Sequence, residues 1–334
     1  MSKPKICTPT DSYVTTYQWA VDYTQQQQAI FWPAEEPGVE EDEQDFRTKL
    51  NEAELHGVLT AQSILTKYEV MIGGEEFWGG TIAKMFPRPE IQRMCACFSN
   101  VELNSHAPFY SEANKVMGND TNEFYTRWIH DKHMTKRIET MTRYSQSGDE
   151  LLTTAALAFF EGAILYSAFG FFKGFNSSGF NLIPHFVAGI DGSAKDEDIH
   201  SKASAYLHNT YLQEAKELGL HSEQDELARI EAIDIMSKEC LAHEEALTKE
   251  LFAITGNRVV TQQQVTEFFE DRVDIVRARL GLPKLHNRKE GEISKWFYDQ
   301  LSTVKVPDFF ATTQLQYRRD IEKHKISFKM EMVK

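Results

Sequence analysis

The chain has 334 residues, of which 41% are hydrophobic and 26% are charged, and its formal net charge is -14. This length and composition are enough to bury a large core, either as one big domain or as two ordinary ones. The acidic balance, with no basic run interleaved with aromatic residues, argues against a phosphate-binding surface. We therefore expect no nucleic-acid partner.

The four cysteines are too few to form a disulfide framework for a chain of this size, so we interpret them as reduced thiols. The first thirteen residues are polar and lack the basic-then-apolar layout of a signal peptide. We also expect no segment that crosses a membrane, which needs a run of about 18 apolar residues. Together these features predict a cytoplasmic protein without a membrane partner.

The fold class follows from residue spacing. Apolar residues recur with the 3.6-residue period of helices, while glycine and proline are sparse (18 and 10) and strand alternation is nearly absent. We predict an all-α fold. Because no repeat or low-complexity linker divides it, we assign an N-terminal polar segment (1–28), a single helical domain (29–316) and a C-terminal tail (317–334).

The first candidate residues lie between the polar segment and the end of the first long helix. Trp32 stands in a loop bounded by prolines and, taken alone, is typical of a hydrophobic anchor. A helical pattern then runs from Asn51 to about Ile72, where two glycines end it. Glu69 lies near that end in an apolar setting. It is a candidate metal ligand or a solvated acid, as glutamate usually is.

A second helical pattern, from Glu90 to about Met117, carries Glu102 and His106. Four residues apart on one face, this pair can share a metal ion, although surface pairs with the same spacing are common. Pro108 removes a backbone hydrogen bond and clashes with the preceding turn. We therefore expect the helix to be kinked or widened beside His106.

A third pattern, from Asn122 to Tyr144, is rich in charge and reads as exposed. The fourth, from Leu151 to Phe175, is apolar on every side, and Glu161 is its only charged residue before Lys173. A helix of this kind belongs in the core, where an unpaired carboxylate costs several kcal/mol, by order of magnitude. Glu161 is thus a metal ligand, or a protonated or hydrogen-bonded core glutamate.

The fifth pattern, from Phe180 to Leu218, contains Glu197 and His200. Their three-residue spacing lays both side chains on one helix face, where they can hold one metal ion, although a solvated face shows the same letters. Two further helices are predicted from Glu223 to Phe252 and from Thr261 to Leu280.

Together these candidates form the ligand inventory of a dimetal carboxylate site in a helical bundle, where two helices each give one acid and two each give an acid and a histidine. Four carboxylates and two neutral imidazoles balance two divalent ions, and such oxygen and nitrogen donors suit iron or manganese. The six predicted ligands are Glu69, Glu102, His106, Glu161, Glu197 and His200.

From about residue 28 to residue 317 the chain resembles the small, radical-generating subunit of class I ribonucleotide reductase. Beyond the ligand set, the resemblance rests on FW followed by EE within 31–36, EGAILY at 161–166 and DEDIH at 196–200. It implies a ferritin-like bundle. The family usually places its first acid and histidine three residues apart, so the four-residue spacing of Glu102 and His106 leaves coordination by Glu102 open.

The resemblance also implies roles for residues around the ligands. Tyr110, four residues after His106, matches the stable radical site, although a core tyrosine with a bonded hydroxyl explains the same letters. Leu165 and Phe169 fall where the family keeps apolar side chains around its radical.

Radical transfer involves three further positions by the same resemblance. Trp32 matches a tryptophan that is linked to the first histidine through an aspartate, and Asp196 occupies the position of that aspartate. Tyr317 is the only tyrosine of the tail. It is a candidate transfer residue in the segment expected to dock to the large subunit, although this tail is mixed in charge.

The implied activity is that of the ribonucleoside-diphosphate reductase small subunit. Two metal ions, Fe/Fe with Mn/Fe and Mn/Mn as alternatives, would react with dioxygen and generate a tyrosyl radical. The radical would pass to a large-subunit partner for deoxyribonucleotide synthesis, and the small subunit is expected to form a homodimer. Rival interpretations are a ligand-binding dimetal oxidase on the same scaffold, a ferritin-like metal store and a purely structural helical protein.

Overall fold

A computed structural model describes residues 3–177, 179–286 and 289–303, with side chains described as far as Tyr298. Tyr317 and the rest of the predicted docking tail lie outside these residues. Within the described part of the chain the regular secondary structure is helical, with no strand. The predicted all-α fold class is therefore confirmed.

The thirteen α-helices of the described residues are α1 Gln18–Ala29, α2 Glu52–Gly73, α3 Ala83–Met85, α4 Pro89–Val101, α5 Ala107–Val116, α6 Asn122–Tyr125, α7 Lys132–Ser145, α8 Glu150–Phe159, α9 Leu165–Lys173, α10 Pro184–Glu217, α11 Glu223–Leu251, α12 Gln262–Arg279 and α13 Glu292–Thr303. π-helical segments span Asp45–Lys49, Trp78–Ile82, Glu102–His106 and Phe160–Ile164, and 3₁₀ turns span Lys5–Cys7, Val39–Asp42, Arg127–His130 and Gly174–Asn176.

Helix ends follow local capping chemistry. The Asn51 side chain accepts from the Glu54 N–H and the Glu54 carboxylate accepts from the Asn51 N–H, so α2 begins where its sequence predicts. The single helix predicted from residue 122 to residue 144 is instead divided into α6, a 3₁₀ turn and α7. The reason is Asp131, whose side chain accepts from the His133 and Met134 N–H groups and starts a new helix.

The six predicted ligands lie on four long helical segments. These are α2, the α4–α5 segment with its π turn, the α8–α9 segment with its π turn, and α10. Helix α10 packs along α8 and α9, and α2 packs against α5. Helix α1 lies across α4 and α10, so part of the predicted N-terminal polar segment belongs to the wall of the bundle. Helices α11 and α12 cover the outer side of α8 and α9.

The helical run Glu150–Asn176 forms the most apolar part of the bundle. By length and composition this run could cross a membrane, although Glu161 interrupts it and it contains no unbroken stretch of 18 apolar residues. The whole of its most apolar stretch is buried inside the bundle. An all-round apolar helix that is covered by its neighbours is a core helix.

The acidic stretch that follows Trp32 fixes the start of α10. The Asp45 carboxylate accepts from the Ile183 N–H over 3.0 Å, and the Asp42 carboxylate accepts from the Phe186 N–H over 2.7 Å. These amides are among those that a helix leaves without an intrahelical partner at its first turn. Ile183 adopts a left-handed φ of 43° at this junction. The two aspartates thus hold the helix that carries Glu197 and His200.

Candidate metal centre

The structure brings all six predicted ligands together in the centre of the bundle, and each side chain is fully buried. Their ligand atoms form two overlapping groups, each within a span of 4.8 Å. One group contains Glu69 and His106 and the other contains Glu161 and His200, while Glu102 and Glu197 belong to both. Two such groups, with two carboxylates in common, could hold two metal ions side by side.

The helix is widened between Glu102 and His106, as Pro108 predicts. Residues Glu102–His106 form a π turn, closed by a hydrogen bond from the Ala107 N–H to the Glu102 carbonyl. A π turn holds one residue more than an α turn, and such insertions are frequent at functional sites. Because of the extra residue, side chains four residues apart in this turn can be aligned as side chains three residues apart are in a regular α-helix. The four-residue spacing therefore does not keep Glu102 out of the cluster.

A second π turn, Phe160–Ile164, carries Glu161 in the middle of the core helix. Backbone oxygens around it are bound by buried side chains: Arg272 Nε donates to the Gly162 carbonyl over 2.7 Å, and Ser201 Oγ donates to the Ala158 carbonyl over 3.0 Å. Oxygens left over by a widened turn need such donors when they are buried. Arg272 and Ser201 thus hold the backbone that presents Glu161.

The half of the cluster near α2 is centred on His106. Its Nδ1 lies 2.9 Å from Glu102 Oε2, 3.2 Å from Glu197 Oε1 and 3.7 Å from Glu69 Oε2. The other ring nitrogen, Nε2, lies 2.9 Å from the Oδ2 of Asp196. Because a carboxylate accepts only, Nε2 carries a proton that it donates to Asp196, which leaves Nδ1 as the nitrogen that could bind a metal ion.

The other half is centred on His200. Its Nδ1 lies 2.7 Å from Glu102 Oε1, 3.3 Å from Glu197 Oε2 and 3.7 Å from Glu161 Oε1. The Phe98 ring covers the imidazole with a centroid distance of 4.2 Å. Phe98 lies on α4, so it helps to keep this half of the cluster dry.

An outer layer of hydrogen bonds surrounds the cluster. The Trp32 indole N–H donates to Asp196 Oδ2 over 2.8 Å, and the Gln27 amide donates to Asp196 Oδ1 over 2.7 Å. On the opposite side, the Trp78 indole N–H donates to Glu161 Oε1 over 2.6 Å. Partners of this kind fix the orientation of metal-binding side chains.

The charges of the cluster need compensation. Burial, reinforced by Glu102, raises the pKa of Glu69 well above its usual range, and burial with Glu197 does the same to the pKa of Glu161. Burial opposes a charged imidazole, but Glu102 outweighs it and raises the pKa of His200 to about 9. Without metal, the cluster thus takes up protons to offset its carboxylates.

The donor set fits two divalent metal ions. Several buried ligand atoms make no aligned hydrogen bond to the described residues, although some of them lie within 4 Å of one another: both side-chain oxygens of Glu69 and of Glu197, one oxygen each of Glu102 and Glu161, and the Nδ1 of His200. Buried polar atoms are rarely left without a hydrogen bond, and one common explanation for such atoms is that they bind a metal ion. Four carboxylates would also neutralise two such ions.

Tyr110 is fully buried on α5 beside the His106 half. Its hydroxyl lies 3.5 Å from Ser193 Oγ on α10, which is its hydrogen-bond partner. Burial, with a smaller contribution from the Glu69 carboxylate, raises the pKa of the phenol well above its usual value. The phenol therefore stays protonated at neutral pH. Leu165 and Phe169, the predicted apolar neighbours of the radical site, are also buried.

Sequence reasoning missed three residues of the site: Gln27, Trp78 and Phe98. Gln27 is the one buried residue of the run Gln25–Gln28, which reads as a polar surface. Trp78 is fully buried in the π turn Trp78–Ile82, in the segment between the first and second predicted helices, for which no element was predicted. The fourfold glutamine run carried no signal that one member faces inward.

Comparisons with known proteins agree with this geometry. A family model described as "Ribonucleotide reductase, small chain" matches residues 11–292. No curated protein sequence matches the chain.

Three solved structures share the fold. A Bacillus halodurans protein assigned to class I ribonucleotide reductase is 16% identical, with a TM-score of 0.73, covering 85% of this chain and 99% of that one. The ribonucleotide reductase R2 subunit from Clostridium botulinum is 18% identical, with a TM-score of 0.71 and coverage of 86% and 88%. The dimanganese(II) NrdF protein of Streptococcus sanguinis is 16% identical, with a TM-score of 0.71 and coverage of 84% and 94%.

Proposed function

Because the chain belongs to the ribonucleotide reductase small-chain family, whose members are oxidoreductases, we propose that it is the radical-generating subunit of a class I enzyme and stores an oxidising equivalent on Tyr110. The observation that carries this proposal is the buried four-carboxylate, two-histidine cluster with Tyr110 beside it. A cluster of this composition is costly to bury without ions.

Two metal ions would be held by the six residues of the cluster, with Glu69 and His106 serving one position and Glu161 and His200 the other. When bound, the ions supply the one-electron oxidising power that comes from reaction with dioxygen. Fe/Fe is our first assignment, with Mn/Fe and Mn/Mn as alternatives, and the dimanganese relative supports considering manganese. Glu102 and Glu197 would serve both positions.

To form the radical, the phenol of Tyr110 must lose one electron and one proton. The protein must then protect the tyrosyl radical from water and reductants. The phenol has Ser193 Oγ as its nearest hydrogen-bonding group, at 3.5 Å, for the departing proton. The burial of Tyr110 would exclude water and reductants from the oxidised ring. Leu165 and Phe169, which the resemblance places around the radical, are buried as well. Removal of the site from bulk solvent is what makes a persistent radical feasible.

Trp32 and Asp196 would connect the cluster with the surface. Trp32 donates to the buried Asp196 carboxylate, and its neighbour in the chain, Phe31, is 38% exposed. The oxidising equivalent would leave by this side for a large-subunit partner, where ribonucleoside diphosphates are reduced for deoxyribonucleotide synthesis. Tyr317, outside the described residues, remains a candidate transfer residue in the docking tail. A homodimer and a cytoplasmic location are part of the same proposal.

Electron paramagnetic resonance tests the proposal directly. Metal-free protein is loaded anaerobically with Fe²⁺ or Mn²⁺, exposed to oxygen and frozen, for wild type, Tyr110→Phe and Tyr68→Phe. Tyr68 is a matched control because it is another fully buried tyrosine, next to Glu69 in the sequence. We expect a tyrosyl signal in the wild type and in Tyr68→Phe, and none in Tyr110→Phe.

A signal that survives in Tyr110→Phe would move the radical to another residue. Metal uptake and oxidation without an organic radical in any of the three proteins would instead favour a ligand-binding dimetal oxidase on the same scaffold. Absence of metal uptake would reject the dimetal site itself.

A further inference from the structure

Gln27 joins the two histidines of the cluster through one side-chain amide. Its Nε2 donates to Asp196 Oδ1 over 2.7 Å, and its Oε1 lies 3.1 Å from His200 Nε2. Asp196 in turn accepts from His106 through its other oxygen. A continuous chain of hydrogen bonds therefore runs from His106 through Asp196 and Gln27 to His200, and all four side chains are fully buried.

The directions of these bonds follow from elementary chemistry. An ionised Asp196 only accepts hydrogen bonds, so the NH₂ end of Gln27 must face it and the carbonyl end must face His200. A carbonyl also only accepts, so His200 Nε2 must carry a proton. When a metal ion is bound, the Nδ1 of His200 is then the nitrogen left to coordinate it, and this atom points at Glu102 and Glu197.

The two histidines are therefore held by different acceptors: a carboxylate for His106 and a neutral amide for His200. Such outer partners fix the tautomer and ring orientation of a metal-binding histidine. We infer that Gln27 is a positioning residue that holds His200 in its metal-binding tautomer and thereby sets the metal affinity of the half with Glu161 and His200. This inference rests on the proposed dimetal site.

Position along α1 supports the inference. Gln26 and Gln28 flank Gln27, and both are exposed. Gln27 is buried between them, and both ends of its amide are bound by side chains of the cluster and its outer layer rather than by the backbone. The exposed neighbours also provide a control with the same residue type on the same helix.

The experiment compares wild type, Gln27→Met and Gln28→Met. Methionine has nearly the length of glutamine but can make neither hydrogen bond. Crystals are equilibrated with graded Mn²⁺ concentrations, and anomalous scattering gives the occupancy of each of the two positions. For Gln27→Met we expect the midpoint concentration at the His200 position to rise roughly 10–100-fold and the His106 position to change much less. Gln28→Met should match the wild type at both positions.

A second variant guards against misfolding. Gln27→Glu keeps an oxygen that can accept from His200 Nε2 but loses the donor to Asp196. Its midpoint at the His200 position should therefore lie nearer to the wild type than that of Gln27→Met, while the His106 position, which Asp196 holds, should weaken. A purely structural role would lower the melting temperature and shift both positions together.

Equal shifts at both positions, or no shift in Gln27→Met, would overturn the inference while leaving the dimetal site intact. If wild type takes up no Mn²⁺ at either position, the proposed function fails first and this inference falls with it.

Discussion

Trp32 and His106 donate hydrogen bonds to the same oxygen atom. The Oδ2 of Asp196 accepts the indole N–H over 2.8 Å and the imidazole Nε2–H over 2.9 Å. The two rings also stack, with centroids 5.6 Å apart and planes inclined by 27°. Any change in charge at His106 is therefore felt at Trp32 through one shared atom.

Asp196→Asn should break this link. Asparagine offers one accepting oxygen and an NH₂ group, so it cannot accept from both rings and also from Gln27. We expect the affinity of the His106 half for Mn²⁺ to fall roughly 10–100-fold, as measured by isothermal titration calorimetry. Asp22→Asn, the same chemical change at an exposed position on α1, should leave binding unchanged. Equal affinities in the two variants would argue against a role for Asp196 in holding His106.

Glu161→Gln should separate metal binding from stability. Burial keeps the pKa of Glu161 raised, so in metal-free protein glutamine resembles the protonated acid and can still accept from Trp78. We expect the free energy of unfolding of the metal-free protein to be unchanged or higher by about 1 kcal/mol. The increase in melting temperature that Mn²⁺ produces should be largely lost.

Glu54→Gln is the matched control for Glu161→Gln. Glu54 caps α2 and pairs with Arg258, so its loss should lower the melting temperature with and without metal. A marked loss of metal-free stability in Glu161→Gln would show that Glu161 serves the fold rather than the metal site.

Gly192→Ala should disturb Trp32. A Cβ atom at this position of α10 would lie 2.8 Å from Trp32 Cε2, which is too close for the ring to stay in place. We expect a loss of about 1–3 kcal/mol in the free energy of unfolding, measured with urea. Helix propensity alone predicts a gain of about 1 kcal/mol.

The effect of Gly192→Ala on the free energy of unfolding should change sign when the Trp32 indole is absent. In a Trp32→Ala background, Gly192→Ala should stabilise the protein, because only the propensity remains. A loss in both backgrounds would mean that the indole is not the obstacle.

His208 should make stability depend on pH. It is buried as a neutral ring between the Leu151 carbonyl and Arg229, and burial, followed by the Arg229 charge, lowers its pKa to about 3. The unfolded chain has a histidine pKa of about 6.5. Between these values only the unfolded state binds the proton, so stability falls as the pH drops below 6.5.

His208→Gln removes this proton uptake. The stability difference between wild type and His208→Gln should shrink by about 2 kcal/mol between pH 7 and pH 5, measured by urea unfolding of the metal-free proteins. A constant difference over this range would show that His208 is not held neutral in the folded state.

The candidate ligands and the helices that carry them could be predicted from the local amino-acid sequence alone. Glu161 was identified because a charge inside an all-round apolar helix needs a compensating partner, and Glu197 and His200 were identified because helical spacing puts them on one face. Pro108 likewise predicted the distortion beside His106, since its effect is confined to its own turn. Whether these six side chains coordinate metal, and whether Tyr110 carries a radical, remains a prediction.

Amino-acid order determined the all-α class, the helices and the faces on which acids and histidines lie, because each depends on contacts within a turn or two. Tertiary packing decided the rest. It selected Gln27 from four consecutive glutamines, brought Trp78 onto Glu161 and let one oxygen of Asp196 serve both Trp32 and His106. Those contacts join helices far apart in the chain, where spacing carries no information about which atoms will meet.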